Sequence, residues 1–275
     1  MKTRRKASKG VRFSKYKNVK PLRSSKKQIK RSLKVAKYMR RTILKRNEKN
    51  TLIKILADFK KGKDTKAEYS KNEKYIPSRV VVQKKIIKRF LKQDTSSKSP
   101  DVYIFGGPTA SGKTSVLRKF VKERAIVINN DDIKMALAKH DPSPIKKYLL
   151  LHATLLHRES SDIETELVRL AASQKKDIIL DRTLASYKKN ADLIRRLKKQ
   201  GYRVTTLGTN LPPHIAITRA NARFIKKGRF VPLSVVAKKG NRINSNVLRL
   251  ARSKLSRRSR VYSTVKRPVR LMFRK

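Results

Sequence analysis

Short apolar runs in the middle of the chain alternate with segments in which apolar residues recur every three or four positions. The runs at Asp101–Phe105, Ala125–Ile128, Asp177–Leu180 and 202–208 have the length and composition of buried strands. The segments between them have the spacing of amphipathic helices. Strands that alternate with helices favour a parallel sheet with helices on both faces. The pattern therefore predicts an α/β fold.

The predicted helices share this spacing and are separated by Gly, Pro or polar runs. They span residues 28–59, 78–93, 113–123, 131–140, 143–174, 186–200, 212–228 and 233–251. Residues 60–75 are predicted to be a polar connector, and residues 1–30 have the charge and lack of periodicity typical of disorder. Two late segments, 260–265 and 269–273, are predicted to be strands.

The chain has 275 residues and a net charge of +57, and its charged residues are unevenly distributed. Residues 1–50 contain 21 Lys and Arg against one acid, and residues 233–275 contain 14 against none. Twelve of the 18 acids lie in residues 101–232. We therefore expect three parts. These are a basic N-terminal extension at 1–74, partly disordered or helical, a folded core at 75–232, and a basic segment at 233–275 that completes or flanks the core.

Residues 105–115, FGGPTASGKTS, follow the first predicted strand and contain the pattern G-x-x-x-x-G-K-[ST]. In this pattern the backbone N–H groups surround phosphate oxygens, the Lys reaches the β- and γ-phosphates, and the Ser or Thr hydroxyl binds Mg²⁺. We expect a nucleoside triphosphate, ATP or GTP, with Lys113 on its phosphates and Thr114 on Mg²⁺. The expected nucleotide-binding residues are Gly107, Pro108, Thr109, Ala110, Ser111, Gly112, Lys113, Thr114 and Ser115.

The sequence around the third strand narrows the class of phosphate-loop enzyme. A GTPase would contain the guanine-reading sequence Asn-Lys-x-Asp, which is absent. A motor or AAA-type ATPase would follow its apolar strand with Asp-Glu, whereas Asp181 is followed by Arg182. A compact core with late arginines favours a kinase, in which a carboxylate activates a hydroxyl and arginines neutralise the transferred phosphoryl group.

Acidic candidates follow the second and third strands, at the sheet edge where ligands of parallel sheets bind. Asp131 is the candidate base, and Asp181 is a candidate acceptor-binding residue; each could instead cap a helix. Four acids on the long helix, Glu159, Asp162, Glu164 and Glu166, could bind the acceptor or form a solvated face.

Basic candidates cluster late in the core. Arg219 and Arg223 are four residues apart on one predicted helix, and Arg229 lies in the following loop. A guanidinium group can bind phosphate oxygens with two parallel hydrogen bonds, so these three are candidate catalytic residues. The alternative is a solvated basic helix.

The chain resembles the zeta-toxin family of P-loop kinases from about Tyr75 to Pro232. The resemblance lies in SPDVYIFGGPTASGKTS, VINNDDIKMAL, HRESSDIETELVRLAASQKKDIILDRT, GYRVTTLGT and RANARFIKKGRFVP. It implies an adenylate-kinase-like α/β fold and phosphorylation of the 3′-hydroxyl of a UDP-N-acetyl sugar.

The same resemblance implies individual roles. Asp131 would be the base, Arg229 the late arginine, and Glu164 or Glu166 the helix glutamate. The earlier arginine would be Arg219 or Arg223.

Two features depart from the family pattern. The family often has Asp/Glu-Gly-Thr after the third strand, and here Arg182 replaces the Gly, which leaves the sugar acceptor open. The basic flanks predict a nucleic acid or another polyanion as partner. A polynucleotide kinase, or a basic protein of a virion, nucleoid or ribonucleoprotein, is therefore the alternative function. An antitoxin partner also stays open.

The absence of cysteine is compatible with the cytoplasm or another reducing compartment. The nucleus, a nucleoid or a virion would fit equally. No apolar run approaches 18 residues, so no transmembrane helix is expected.

Overall fold

The computed structural model describes residues 19–44, 46–93, 95–117, 125–140, 154–227, 230–266 and 268–275. The helices are α1 (Lys26–Ile43), α2 (Arg46–Lys60), α3 (Thr65–Tyr69), α4 (Pro77–Leu91), α5 (Lys113–Leu117), α6 (Asn130–Lys139), α7 (His157–Ser173), α8 (Tyr187–Lys199), α9 (Pro213–Lys227) and α10 (Leu233–Arg252). The strands are β1 (Ser70–Lys71), β2 (Lys74–Tyr75), β3 (Asp101–Gly106), β4 (Ile126–Asn129), β5 (Ile178–Arg182), β6 (Arg203–Asn210), β7 (Arg258–Ser263) and β8 (Arg270–Arg274).

The central sheet has six strands in the order β4-β5-β3-β6-β7-β8. The first five run parallel, as the sequence predicted. Strand β8 pairs antiparallel with β7 at the edge, because the short segment between them cannot form the crossover that a parallel pair requires. Segment 233–275 thus supplies α10 and two strands of this sheet.

Apolar side chains alternate between the two faces of the sheet, as the pleat requires. Val102 and Ile104 of β3 face a core shared with α4, α6, α7, α8 and α10. Tyr103 and Phe105 face the other side and pack with Val116 of α5. Helices therefore cover both faces, and the predicted α/β fold is confirmed.

Three predicted segments differ from the structure. The helix predicted at 28–59 is two helices, because Leu44 is extended (φ −73°, ψ 134°). The long helix predicted from 143 begins at His157; residues 141–153 lie outside the described part. The connector at 60–75 forms α3 and the β1–β2 hairpin, whose turn places Asn72 and Glu73 at positive φ.

The N-terminal segment packs against the C-terminal half of the chain, so the disorder predicted at 1–30 is wrong for residues 19–30. Leu22 N–H donates to Asn210 Oδ1 (2.8 Å), and the Leu22 carbonyl accepts from Asn244 (2.6 Å). Ser24 exchanges hydrogen bonds with Asn241 and His214. Residues 1–18 lie outside the described residues. None of the described helices combines the length and apolar composition needed to cross a membrane.

Candidate functional site

The loop after β3 turns sharply against the end of β6. Gly107 has φ +154°, and a Cβ atom there would lie 2.1 Å from Thr209 Oγ1 and 2.8 Å from the Thr209 carbonyl oxygen. Both the dihedral angle and the space therefore require glycine. The Ser111 and Thr209 hydroxyls are hydrogen-bonded at 2.6 Å, and both residues are buried. These contacts hold the loop to the carboxyl edge of the sheet.

Lys113 folds back over this loop from the first residue of α5. Its Nζ donates to the carbonyls of Gly107 (3.3 Å) and Pro108 (3.4 Å). The same Nζ lies 4.0 Å from Asp181 Oδ1, and the Lys113 side chain is 16% exposed. Thr114, the next residue of α5, is exposed. The ammonium group is thus held beside the space that the loop encloses.

Asp181 lies beside the loop, in the second-last position of β5. In the register of the parallel sheet, Asp181 of β5 pairs with Phe105 of β3 and with Asn129 of β4. Its Oδ1 is buried and accepts no hydrogen bond from the described residues. Burial raises the pKa of Asp181; Lys113 lowers it and the charge of Asp132 raises it further.

An unsatisfied carboxylate oxygen next to a phosphate loop suits a hard cation, since Mg²⁺ is bound through oxygen. Asp181 and the Thr114 hydroxyl could supply such oxygens. The described residues contain no group of three or more His, Asp or Glu side chains that could hold a metal alone. Mg²⁺ commonly binds through one or two protein groups together with substrate phosphates.

Asp131 and Asp132 begin α6 at the end of β4. Asn129 caps this helix by accepting from the Asp132 N–H (2.8 Å), and its amide contacts the Asp132 carboxylate. Both aspartates are exposed. Asn129 is level with Asp181 in the sheet, so the start of α6 lies at the same edge as the loop. Helix capping was the alternative role predicted for Asp131, and the residue that caps α6 is Asn129.

Glu164 and Arg182 form an ion pair next to this edge. Arg182 Nε lies 2.7 Å from Glu164 Oε1, and Asn130 donates to Glu164 Oε2. Glu164 is 2% exposed. Burial raises the pKa of Glu164, and Arg182 counteracts this shift. Burial also lowers the pKa of the nearby Lys134 to about 8. Glu164 Oε2 thus has a hydrogen-bond donor, while Oε1 has the ion pair with Arg182 but accepts no hydrogen bond from the described residues.

The other acids of α7 lie elsewhere. Glu166 is on the exposed face, where its carboxylate accepts two hydrogen bonds from Arg169 (2.7 and 2.8 Å). Glu159 is fully buried and bound by Arg79 (2.7 and 2.9 Å). Asp162 accepts from the Tyr75 hydroxyl (2.7 Å). The structure therefore brings Glu164, and not Glu166, to the candidate site, while Glu159 and Asp162 join α7 to the segment before β3.

Two of the three candidate arginines, Arg219 and Arg223, lie on α9. This helix packs beside the loop, since Ala110 contacts the apolar cluster that contains Ala216 of α9. Arg219 donates to the Val265 carbonyl (3.0 Å). Arg223 has a buried Nε that finds no acceptor among the described residues, and burial lowers its pKa. Arg229 lies outside the described residues.

Three residues at this edge were not proposed from the sequence. Thr209 fixes Ser111, Asn130 binds Glu164, and Arg182 pairs with the same carboxylate. Each follows the end of a strand or belongs to its last residues, and that position was an available signal. Arg182 was noticed only as a departure from a family pattern.

A protein-family model described as zeta toxin matches residues 87–270, more than half of the chain. A solved structure of the PezAT chromosomal toxin–antitoxin system of the human pathogen Streptococcus pneumoniae superposes with a TM-score of 0.53. Its sequence identity is 17%, over 69% of this chain and 78% of that one.

The AvrRxo1-ORF1:AvrRxo1-ORF2 complex is similar as well. Its structure with sulphate ions gives a TM-score of 0.52 at 20% identity, and its structure with ATP gives 0.50 at 18%. Each match covers 69% of this chain and 64% of the other, so this chain spans less than two thirds of those proteins. At these identities the likeness concerns the fold. No sequence among curated proteins matches this chain.

Proposed function

Because the chain belongs to the zeta toxin family of P-loop kinases, we propose that it transfers the γ-phosphate of ATP to a hydroxyl group of a nucleotide-sugar. One observation carries the proposal: Lys113, Asp181 and the Asp131–Asp132 pair meet at the carboxyl edge of three adjacent strands. Phosphoryl transfer needs phosphate-binding groups and a proton acceptor at one place, and this edge supplies both.

In this reaction the acceptor oxygen forms a bond to the γ-phosphorus. The bond from that phosphorus to the oxygen bridging the β-phosphate breaks, and the nucleoside diphosphate leaves. Asp131 accepts the hydroxyl proton. Lys113 and the arginines of α9, Arg219 and Arg223, together with Arg229, stabilise the charge on the transferred group.

The site also fits Mg²⁺, which would shield the phosphate charge when bound. Thr114 and Asp181 would hold it, since the Asp181 oxygen otherwise lacks a donor. ATP is favoured over GTP because the similar AvrRxo1-ORF1:-ORF2 complex has been solved with ATP. The absence of a guanine-reading Asn-Lys-x-Asp agrees with this choice.

Arg182 favours a second candidate acceptor, the terminal hydroxyl of an oligonucleotide. Its guanidinium lies 2.7 Å from Glu164 Oε1 and Asn130 donates to Oε2, so an acceptor hydroxyl at this carboxylate would have to share it with both groups. The net charge of +57 also suits a polyanionic acceptor. On this alternative the same loop and the same base act on a nucleic-acid end.

The two acceptors are separated by one incubation. The protein, ATP and Mg²⁺ are mixed with nucleotide-sugars, nucleosides and 5′-hydroxyl oligonucleotides, and products are identified by mass spectrometry. Phosphorylated nucleotide-sugar alone supports the proposal, and phosphorylated oligonucleotide alone overturns it in favour of the second candidate. Lys113→Ala should abolish either product, whereas the exposed Lys198→Ala should not.

The PezAT and AvrRxo1 structures come from proteins that assemble with a second chain. We propose by analogy that this kinase is also restrained by a partner protein. Expression of the wild type without that partner should slow cell growth, and expression of Lys113→Ala should not. Equal growth of both strains would argue against a toxic activity.

A further inference from the structure

Helix α1 contains eight Lys and Arg residues and no acidic residue. A helix this basic is usually a solvated or disordered segment, because its charges repel one another. In this protein it is instead a packed part of the fold. The exposed basic side of α1 therefore requires a functional explanation.

One face of α1 docks on the molecule. Ile29, Leu33 and Ala36 lie three or four residues apart and pack with the apolar cluster of α9 and α10. Ser25 caps the helix, since its hydroxyl accepts from the Gln28 N–H while the Gln28 side chain accepts from the Ser25 N–H. These three apolar residues of α1 are thus already packed inside the protein, while Val35, Met39 and Ile43 stay exposed.

Arg40 continues the docked face and is only 8% exposed. Its guanidinium lies 4.6 Å from the centre of the Phe224 ring and 5.0 Å from that of Phe230. It also donates to Asn221 Oδ1 (2.9 Å). Burial lowers the pKa of Arg40 to about 10. This clamp at one end, and the hydrogen bonds of Ser24 at the other, hold α1 in one orientation.

The opposite side of α1 presents only cations and one aromatic ring over an arc of about 140°. Tyr38 lies within this arc and is 72% exposed. Within the described part of the chain, none of the basic side chains of this arc forms an ion pair. The exposed basic residues are Lys26, Lys27, Lys30, Arg31, Lys34, Lys37 and Arg41.

We propose that this basic face of α1 binds the phosphate backbone of a nucleic acid, with Tyr38 available to stack on an unpaired base. The helix is about 27 Å long, so its seven cations can follow several successive phosphates. Regularly spaced phosphates are the complement of such a row, and binding releases their counterions. An aromatic ring among cations is the arrangement that binds single strands.

An anionic membrane is the competing polyanion, and only part of the apolar surface of α1 is free for it. A membrane-surface helix inserts its apolar face into the lipid. Here Ile29, Leu33 and Ala36 pack on α9 and α10, whereas Val35, Met39 and Ile43 form an exposed apolar strip beside the basic face. The vesicle arm of the test therefore separates the two partners. The inference does not depend on the kinase reaction, because the basic face is defined by α1 alone.

The test measures fluorescence anisotropy of a labelled DNA duplex and a labelled single-stranded RNA with the full-length protein, from about 50 to about 200 mM salt. The variant reverses three charges of the face, Lys27→Glu, Arg31→Glu and Lys34→Glu. The matched control reverses three exposed lysines of α4, Lys84, Lys85 and Lys88, and so has the same net charge. Vesicles rich in phosphatidylserine form a third arm.

The variant should weaken nucleic-acid binding by on the order of 10²-fold and flatten the plot of log affinity against log salt by about 2.7 on duplex DNA. The α4 control should keep most of the nucleic-acid affinity and most of the salt dependence. The wild type and both triple variants should have the same melting temperature. Equal weakening by the two triple variants would overturn the proposal, because net charge alone would explain it. Unchanged nucleic-acid binding by the α1 variant would also overturn it. A wild-type protein that binds the vesicles but neither nucleic acid would overturn it as well.

Discussion

The phosphate loop and helix α1 are both positively charged, but they carry the charge differently. At the loop a single ammonium group, Lys113, is mostly buried and held by the carbonyls of Gly107 and Pro108. On α1, seven cationic groups stand in solvent. The loop is therefore suited to place a few phosphate oxygens accurately, and α1 is suited to attract many phosphates with little geometric demand.

This difference separates two kinds of recognition within one chain. Buried groups act through defined positions, so changing one of them removes a specific interaction. Exposed charges act together and are screened by salt, so changing one of them removes a fraction of the effect. Single substitutions in each region can therefore distinguish the two kinds of recognition.

The largest effect concerns the proposed base. Asp131→Asn should lower the rate of phosphoryl transfer by about 10² to 10⁴-fold, because the amide cannot accept the hydroxyl proton. Asp132→Asn is the matched control one residue away and should lose far less. Rates are measured with the acceptor identified by the incubation described above. Equal losses in both variants would show that the helix start, and not one carboxylate, matters.

A pair of glycines tests whether the loop depends on backbone geometry. Gly107→Ala should lower the free energy of unfolding by about 3 kcal/mol, because its Cβ would collide with Thr209 at an unfavourable φ. Gly112→Ala has φ +71° but open space, and should cost about 1 kcal/mol. Urea denaturation measures both. The comparison fails if Gly112→Ala is the more damaging change.

The Glu164–Arg182 pair gives a prediction with a pH dependence. Arg182→Ala leaves Glu164 buried without its counter-charge and should cost about 3 kcal/mol at neutral pH. The loss raises the pKa of Glu164 further above its ordinary value. Folding then favours the protonated acid, so the deficit should shrink as the pH falls towards that ordinary value.

Thermal melting between neutral and mildly acidic pH checks this behaviour. Arg169→Ala breaks the exposed pair with Glu166 on the same helix and should have little effect at any pH. A deficit of Arg182→Ala that is independent of pH would mean that its cost comes from packing and not from charge.

The smallest effect concerns the docking of α1. Arg40→Ala removes the contacts with Phe224 and Phe230 and should cost about 2 kcal/mol of stability. Arg41→Ala, on the exposed side, should be nearly neutral for stability. Chemical denaturation of the two variants makes the comparison. Identical stability would show that the clamp does not hold the helix.

Strands β3 to β6 could be predicted from sequence to within a few residues, because each is a short apolar run whose two faces are both buried. The phosphate loop could be predicted too, because its glycines and Lys113 are contiguous. The break at Leu44 was missed since the apolar spacing continues across it and neither Gly nor Pro marks it.

Long-range contacts explain the remaining errors. Residues 19–30 look disordered alone, and they are fixed by Asn210, Asn241 and Asn244, far along the chain. Glu164 and Glu166 are alike in sequence, and only the packing of α7 buries one and exposes the other. The two late strands were predicted at 260–265 and 269–273, and only the antiparallel pairing of β8 with β7 at the sheet edge was not.

The phosphate loop and the basic face of α1 should bind different ligands independently. Titrating ATP and a DNA duplex separately into Lys113→Ala and into the triple α1 variant tests this independence. Lys113→Ala should weaken ATP binding by at least about tenfold, one charge-assisted contact being about 1.5 to 3 kcal/mol, and leave duplex binding unchanged. The triple α1 variant should weaken duplex binding and leave ATP binding unchanged. If either variant weakened both ligands to the same extent, the two regions would form one binding surface and the account would be contradicted.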